Sequence, residues 1–287
     1  MQSSGQQKPP LGIVYLTAMS RPDAALALAA LYVCEGKREA RVSAVAVIGS
    51  GLGAAMFCDA VGVFYAGGQA SNSNRVLPVG LAASGVLPTD PTMVKMASTL
   101  RKKVENISDT SEVLALIRNA LTAQADGNVV IVLSTAPDVL LRELTLPGLK
   151  QLITAKVKSL LIVESPSLPD SEALRQLRAD WPTPIATMDR SVGEAIPYPA
   201  ASIEKDFAWS TEHAHPVVEA YRAYKPMPYD APSYDLAGML YAIHPELPMW
   251  SKQAKVTVDP AQKETLLKSF VETCSAKPAL RRPFRPQ

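Results

Sequence analysis

Residues 11–34 run Leu11-Gly-Ile-Val-Tyr-Leu-Thr-Ala-Met-Ser-Arg-Pro-Asp-Ala-Ala-Leu-Ala-Leu-Ala-Ala-Leu-Tyr-Val-Cys34. The apolar start, with β-branched isoleucine and valine, is typical of a buried strand of a parallel sheet. The alanine-rich part that follows favours a helix, with Pro22 near its first turn and Gly36 as its stop. Because ligands bind at the carboxyl ends of the strands in such sheets, residues 17–23 are the predicted place for chemistry.

Length and composition indicate one large domain. The chain has 287 residues, of which 47% are hydrophobic, enough for a substantial core. We predict an α/β fold at residues 11–276, with a single open, mainly parallel sheet flanked by helices. Residues 1–10 are polar and glutamine-rich, which predicts a disordered tail, and residues 277–287 form a basic, proline-rich tail.

The charge balance excludes two classes of partner. A formal net charge of +2 with 20% charged residues gives no field strong enough to favour nucleic acid or a membrane surface. No apolar stretch reaches the ~18 residues of a membrane span. Residues 1–10 contain no hydrophobic signal region, which leaves the compartment open between the cytoplasm and export after signal removal.

Further apolar runs predict a sheet of alternating strands and helices. Strands are predicted at residues 41–48, 75–79, 128–133, 157–163, 184–188 and 255–258. Helices are predicted at residues 54–66, 90–106, 111–125, 215–224 and 261–275. An ordered loop is predicted at residues 189–199, where prolines and aromatic residues are dense.

Cysteine and histidine show no metal-binding pattern. The three cysteines, Cys34, Cys58 and Cys274, have no metal-type or redox-type spacing, and the first two fall on apolar helix faces, which indicates core residues. His213 and His215 are two residues apart, a spacing that favours capping or surface roles over zinc.

The turn after the second predicted strand allows a dinucleotide-binding interpretation. Gly49-x-Gly51-x-x-Ala54 matches the relaxed form of the phosphate fingerprint at a helix N-terminus. Two observations speak against it: this is the second strand of the chain, and no acid follows the next strand to hold a ribose.

The opening of the chain resembles that of the inosine/uridine-preferring nucleoside hydrolase family, in which a strand runs into an Asp-x-Asp-x-x-x-Asp-Asp turn and an Ala-x-Ala-Leu helix. In this chain Asp23 is the one acid left in that turn. If Asp23 is the third acid of the motif, the other places hold Thr17, Met19 and Ala24; if it is the fourth, they hold Leu16, Ala18 and Pro22. Three of four carboxylates are missing in either alignment.

A second resemblance lies late in the chain. The family has a His-Asp or Trp-Asp pair that starts a helix of the form Asp-x-x-Ala-x-Leu-Tyr-Ala, and Tyr234-Asp235 begins the same pattern here. The resemblance implies that the aspartate binds calcium and that the lost histidine acted near the leaving base. From the residues alone, Asp235 could equally be a helix N-terminal acid, favourable by ~0.3–1 kcal/mol.

In the middle of the chain, the places that correspond to the family's motifs can be located, but they hold other residue types. Ser50 stands where the family has a nucleoside-contacting asparagine, and Glu164 ends a strand where the family has Met-Gly-Gly, either as a site residue or as a loop charge. The resemblance therefore implies Ser50, Glu164, Tyr234 and Asp235 as substrate-binding residues and Asp23 as a catalytic residue. No cofactor is expected; if the ancestral site persists, calcium would be held by Asp23, Asp235 and a carbonyl near Thr135.

Two functions stay open. One is a nucleoside hydrolase-like protein with a degenerate metal site, acting as a binding or interaction module whose pocket accepts a sugar or nucleoside. The other is an active N-glycosidic hydrolase with a rearranged site, using Asp23 as base and Asp235 to orient the substrate. Self-association into a homo-oligomer is open in both.

Overall fold

The apolar runs form one eight-stranded sheet in the computed structural model of the protein, which describes residues 9–65, 79–82, 86–210 and 213–277. The strands are β1 (Leu11–Thr17), β2 (Ala40–Val47), β3 (Val79–Leu81), β4 (Val129–Leu133), β5 (Val157–Val163), β6 (Ile185–Met188), β7 (Trp250–Lys252) and β8 (Val256–Val258). This architecture confirms the predicted α/β fold with an open, mainly parallel sheet.

Helices connect and cover the strands. They are α1 (Pro22–Gly36), α2 (Leu52–Tyr65), α3 (Val113–Thr122), α4 (Asp138–Thr145), α5 (Leu149–Lys156), α6 (Glu172–Asp180), α7 (Arg190–Ala195), α8 (Ala200–Lys205), α9 (Pro216–Tyr224), α10 (Tyr234–Ile243) and α11 (Lys263–Cys274). Short 3-10 segments lie at Thr92–Thr99, Ile107–Asp109 and Pro260–Gln262. No helix in the described part of the chain is long and apolar enough to cross a membrane.

The strand order places a crevice beside the first strand. The sheet runs β3-β2-β1-β4-β5-β6-β8-β7, with every pair parallel except β7 and β8. The chain leaves β1 toward β2 and β3 and later returns on the other side through β4, β5 and β6. Such a reversal of direction opens a crevice at the carboxyl ends of the two neighbouring strands, here β1 and β4. The Ser134 amide donates to the Leu16 carbonyl at 3.0 Å, so the two strand ends are in contact.

Helix α1 lies deep in the fold. Residues 22–34 are all buried, because α1 packs against α10, α9 and α11 as well as against the sheet. Its alanines allow neighbouring helices to approach closely. Two glycines allow α10 to pack closely against β5 and α7: a Cβ on Gly238 would lie 2.4 Å from the Val163 side chain, and one on Gly193 would lie 2.7 Å from the Tyr234 amide nitrogen. Residue 234 and its successor are therefore held at the sheet edge.

Several segments differ from the sequence prediction, and α4, α5 and α6 were not among the predicted helices. The helix predicted at residues 90–106 is only the 3-10 segment Thr92–Thr99, because the Asp59 carboxylate of α2 accepts hydrogen bonds from Lys103 and Val104 and pulls the following backbone into an extended path. The loop predicted at residues 189–199 contains α7, which begins where Asp189 caps the amide of Ser191 at 2.8 Å. Strand β7, which pairs with β8, was also absent from the prediction.

Other expectations were met or lie outside the described residues. Cys34 and Cys58 are buried, and His215 caps α9 by accepting a hydrogen bond from Val217 at 3.2 Å. Residues 75–78 of the predicted strand, residues 1–8 of the N-terminal tail and residues 278–287 of the C-terminal tail are not among the described residues.

Candidate functional site

The turn after β1 directs one cation toward the sheet edge. Met19 has a left-handed backbone (φ 48°), and its amide donates to the Thr17 hydroxyl at 2.9 Å, which tightens the turn. Arg21 is extended, as expected for the residue before a proline, and Pro22 then starts α1. The Arg21 side chain is therefore presented across the carboxyl end of β1.

The Arg21 guanidinium joins three segments that are distant in sequence. Its Nε contacts Asp23 Oδ1 at 3.0 Å, its Nη2 contacts Asp235 Oδ1 at 2.9 Å, and its Nη1 donates to the Ser167 hydroxyl. The Tyr234 ring lies beside it, with the guanidinium carbon 5.2 Å from the ring centroid, within the range of a cation–π contact. We call Tyr15, Arg21, Asp23, Ser134 and Asp235 the arginine cluster.

Every carboxylate oxygen of the arginine cluster accepts a hydrogen bond from the protein. Asp235 Oδ2 accepts from the Tyr15 hydroxyl at 2.5 Å and from the Ser134 hydroxyl at 2.8 Å. Asp23 Oδ2 accepts from the Asp235 amide at 2.8 Å, while both Oδ1 atoms face Arg21. The two acids predicted from opposite ends of the chain are thus brought into contact, with a guanidinium between them.

Burial governs the electrostatics of this cluster. Asp23 and Asp235 are each about 1% exposed, and only the Arg21 side chain reaches solvent, at 14%. Burial raises the pKa of Asp23 to about 6, although the guanidinium of Arg21 opposes that shift. Burial and the Asp235 carboxylate also raise the pKa of Tyr15 well above its ordinary range. Tyr15 therefore stays a hydrogen-bond donor.

Polar side chains at the neighbouring strand ends donate hydrogen bonds to backbone carbonyls. The Ser50 hydroxyl donates to the Ala18 carbonyl at 2.6 Å, and the Thr135 hydroxyl donates to the Ile48 carbonyl at 3.1 Å. Ser50, Thr135 and the side chain of Met19 are all buried. These groups fix the turns around the crevice and do not point a free donor or acceptor into it.

Glu164 and Tyr234 have separate environments. The Glu164 carboxylate pairs with Lys255 at 2.6 Å and lies 3.9 Å from Arg178, so its contacts are with β8 and α6 rather than with the arginine cluster. The Tyr234 hydroxyl donates to Glu194 at 3.4 Å, while its ring contacts Arg21. Of the sequence-predicted set, Asp23, Asp235 and Tyr234 come together, and Ser50 and Glu164 are engaged elsewhere.

A carboxylate of the protein itself occupies the anion-binding position at the glycine-rich turn before α2. The Asp90 carboxylate accepts from the Gly53 amide at 2.8 Å and the Ala54 amide at 3.0 Å, which are the donors a phosphate would use. A Cβ on Gly51 would lie 2.7 Å from the Pro88 carbonyl oxygen, so the glycine is needed for this close approach. The dinucleotide-binding interpretation is therefore wrong.

A small cleft of about 100 Å³ borders the arginine cluster. Its lining includes Arg21, Asp23, Tyr224, Tyr229 and Asp230. Small-molecule sites usually measure about 300–1,000 Å³, so this cleft is small for a whole nucleoside. A wider groove of about 420 Å³ lies among α4, α5 and α6 and shares no residue with the cluster.

Comparisons with known proteins identify the fold. No protein-family model matches the chain, and no curated protein matches its sequence. A plant nucleoside hydrolase superposes with a TM-score of 0.65 at 15% identity, over 93% of this chain and 100% of that chain. The inosine-uridine preferring nucleoside hydrolase of Bacillus anthracis gives 0.60 at 11% identity, over 92% and 99%. The protein has the nucleoside hydrolase fold.

A third solved structure extends this comparison. The type III effector protein XopQ, solved in complex with adenosine diphosphate ribose, superposes with a TM-score of 0.63 at 14% identity, over 96% of both chains. The nucleoside hydrolase fold is thus shared here by chains described as hydrolases and by one described as an effector. At such low identity the similarity concerns the fold and carries no activity with it.

The residues at this edge of the nucleoside hydrolase fold do not fit calcium. A calcium ion takes six to eight oxygen ligands. Among the residues that the structure describes, two carboxylates reach this place, those of Asp23 and Asp235. Their four oxygens already accept hydrogen bonds, and the positively charged Arg21 guanidinium lies between them. A divalent cation would have to displace Arg21 and the Tyr15 hydroxyl together.

Sequence reasoning missed Arg21, Tyr15, Ser134 and Ser167. A usable signal was present for Arg21, because it is the one base in a turn that has lost its acids and it directly precedes a helix-starting proline. The other three become visible only when the strand order is known.

Proposed function

We propose that this protein is a nucleoside hydrolase-like binding or interaction module without calcium-dependent N-ribohydrolase activity. The observation that supports this proposal most strongly is the Arg21 guanidinium between Asp23 and Asp235. It neutralises the acids that the family resemblance assigns to calcium. Without a metal ion, no bound water is activated at neutral pH and no ribose diol is oriented.

The proposed ligand class is a sugar or nucleoside, bound weakly. The hydroxyls of Ser50, Thr135 and Ser134 are used within the protein, and Met19 is apolar, so a buried ribose would leave hydroxyls without partners. Each such unpaired group costs ~1–3 kcal/mol. Calorimetry should detect no micromolar binding of ribose or inosine; micromolar affinity for either would contradict this part of the proposal.

One observation favours the second candidate, an active hydrolase with a rearranged site. The pKa of Asp23, raised to about 6 by burial, suits a general base near neutral pH. However, Asp23 Oδ1 and Oδ2 are both engaged, by Arg21 and by the Asp235 amide. A base must have a free oxygen near its substrate, so we rank this candidate second.

We expect no hydrolysis of inosine, uridine or a p-nitrophenyl riboside above the uncatalysed rate. The residues around Asp23 and Asp235 do not suit the calcium ion that would activate water. Tyr234 stands where the family resemblance implies a histidine that helps the leaving base, help worth ~10²–10⁴-fold in rate. The assay is run with millimolar calcium, with chelator, and with an Asp23→Asn variant whose melting temperature is checked in parallel. Turnover that chelator stops and Asp23→Asn abolishes would mean that a calcium site forms from other residues. Chelator-insensitive turnover abolished by Asp23→Asn would support the rearranged hydrolase.

A further inference from the structure

Three side chains of metal-binding type meet at the opposite end of α1 from the arginine cluster. Cys34 lies in the last turn of α1, Glu39 lies in the connection to β2, and His244 follows the last residue of α10. Their ligand atoms all lie within 4.8 Å of one another. The sequence spacing gives no hint of this group, because the histidine comes from a distant helix.

The geometry of the group is close to that of a tetrahedral ion. Zinc binds nitrogen and oxygen at about 2.0–2.2 Å and sulfur at about 2.3 Å, which puts neighbouring ligand atoms roughly 3.3–3.6 Å apart. His244 Nε2 and Glu39 Oε2 are already 3.4 Å apart. The ligand atoms of the group, including Cys34 Sγ, all lie within 4.8 Å of one another, so zinc binding requires the Cys34 side chain to move closer to the other two.

A second carboxylate orients the histidine. Glu246 Oε1 lies 3.5 Å from His244 Nδ1, on the other side of the ring from Glu39. Metal-binding histidines usually donate their second ring nitrogen to such a carboxylate, which leaves the first nitrogen with its lone pair toward the ion. Glu246 therefore fits the role of a positioning residue for His244.

The solvent exposure of these three residues and the ligand atoms that they offer also suit a metal ion. Cys34 is buried, while the side chains of His244 and Glu39 are 27% and 38% exposed, so an ion can enter from solvent and keep a water as fourth ligand. In the metal-free protein, burial and the neighbouring Glu39 carboxylate raise the pKa of the Cys34 thiol to about 12. Metal binding would replace the thiol proton by the ion and release that proton.

We propose that Cys34, Glu39 and His244 bind one zinc ion, with a water molecule completing a tetrahedral site. A thiolate and an imidazole exclude calcium and magnesium, which prefer oxygen ligands, and one sulfur, one nitrogen and one oxygen suit zinc. The ion links the C-terminal ends of α1 and α10, whose N-terminal ends are linked by Arg21. This site is separate from the proposed function and does not depend on it.

The test uses the full-length protein, first treated with chelator and then titrated with zinc or cobalt. We expect one equivalent of zinc to bind and to raise the melting temperature, and cobalt to give the near-ultraviolet charge-transfer band of a thiolate ligand. Cys34→Ser and His244→Gln should abolish both effects, whereas Cys58→Ser, which changes a buried cysteine of α2, should leave them unchanged. Glu246→Gln should weaken zinc binding by about 10–100-fold.

Several results would overturn the proposal. Cobalt binding without the thiolate band, or zinc binding that survives both Cys34→Ser and His244→Gln, would show that the ion sits elsewhere. No thermal shift with zinc, together with normal folding of the untreated protein, would show that His244 makes only ion pairs with Glu39 and Glu246.

Discussion

Replacing Arg21 by methionine should lower the free energy of unfolding by about 3–5 kcal/mol, the usual cost of removing one partner from a buried ion pair. The change leaves Asp23 and Asp235 buried side by side without a cation, and Ser167 without its donor. In a domain of this size the loss corresponds to a drop in melting temperature on the order of 10 °C. Urea unfolding and thermal melts measure both quantities.

The matched control for Arg21→Met is Arg175→Met. Arg175 also pairs with two acids, Asp170 and Glu172, but its side chain is 56% exposed. Exposed pairs contribute ~0–1 kcal/mol, so this variant should unfold close to the unchanged protein. Equal losses in the two variants would contradict the central role given to Arg21. Because burial raises the pKa of Asp23 to about 6, Asp23 is ionised at pH 8 and largely protonated at pH 5, so the deficit of Arg21→Met should be larger at pH 8 than at pH 5.

The Arg21→Met variant also tests whether the guanidinium occupies the position where a calcium ion would otherwise bind. With the side chain shortened and uncharged, millimolar calcium should raise the melting temperature of the variant more than that of the unchanged protein. Binding stabilises only the folded state, so the size of the shift reports the affinity. Equal shifts in both proteins would indicate that calcium binds elsewhere.

Replacing Glu143 by leucine should stabilise the protein at pH 8 by about 1–3 kcal/mol. Glu143 lies in α4, is fully buried, and neither of its carboxylate oxygens accepts a hydrogen bond from any residue that the structure describes. Burial, with a smaller contribution from Glu112, raises its pKa from 4.5 to about 7, while Arg118 and Arg142 oppose the shift. Leucine removes an ionised group from an apolar environment.

The pH dependence gives this prediction a definite sign. A carboxyl whose pKa is higher in the folded protein adds stability that is fully present below its unfolded pKa of about 4.5 and is lost as pH rises through about 7. Stability should therefore fall between pH 5 and pH 8, and Glu143→Gln should flatten that fall. Glu272→Gln, an exposed glutamate of α11, is the control and should leave the slope unchanged. Asp23, whose pKa is raised to about 6, also contributes to the fall at the acid end, so the decisive range is pH 6 to pH 8. A slope in that range as steep in Glu143→Gln as in the unchanged protein would refute the assignment.

The fold was predictable because its strands are continuous apolar runs. β1, β4 and β5 are buried on both faces and are recognised by composition alone. The segment at 90–106 was mispredicted because its path depends on Asp59, a residue on another helix. Tertiary contacts of this kind have no local signature.

The candidate site was only half predictable. Asp23 and Asp235 were found from motif positions at the two ends of the chain, and the structure brings them together. The role of Arg21 was missed because its partner Asp235 lies 214 positions away in the sequence, and a contact of that range has no local signature. The zinc-type group was missed for a related reason: Cys34 and His244 become neighbours only through the packing of α1 against α10.

The contact between Tyr15 and Asp235 also affects the order in which the protein folds during its synthesis. It spans 220 positions of sequence, and Tyr15 belongs to β1, an interior strand of the sheet that lies between β2 and β4. During synthesis β1 and α1 leave the ribosome before α10, and Asp235, one of the two acids that pair with Arg21, arrives only with α10. Contacts of such long range are slow to form, because a large loop must close before they add stability. We therefore expect β1 and α1 to reach their native packing only after α10 has been synthesised.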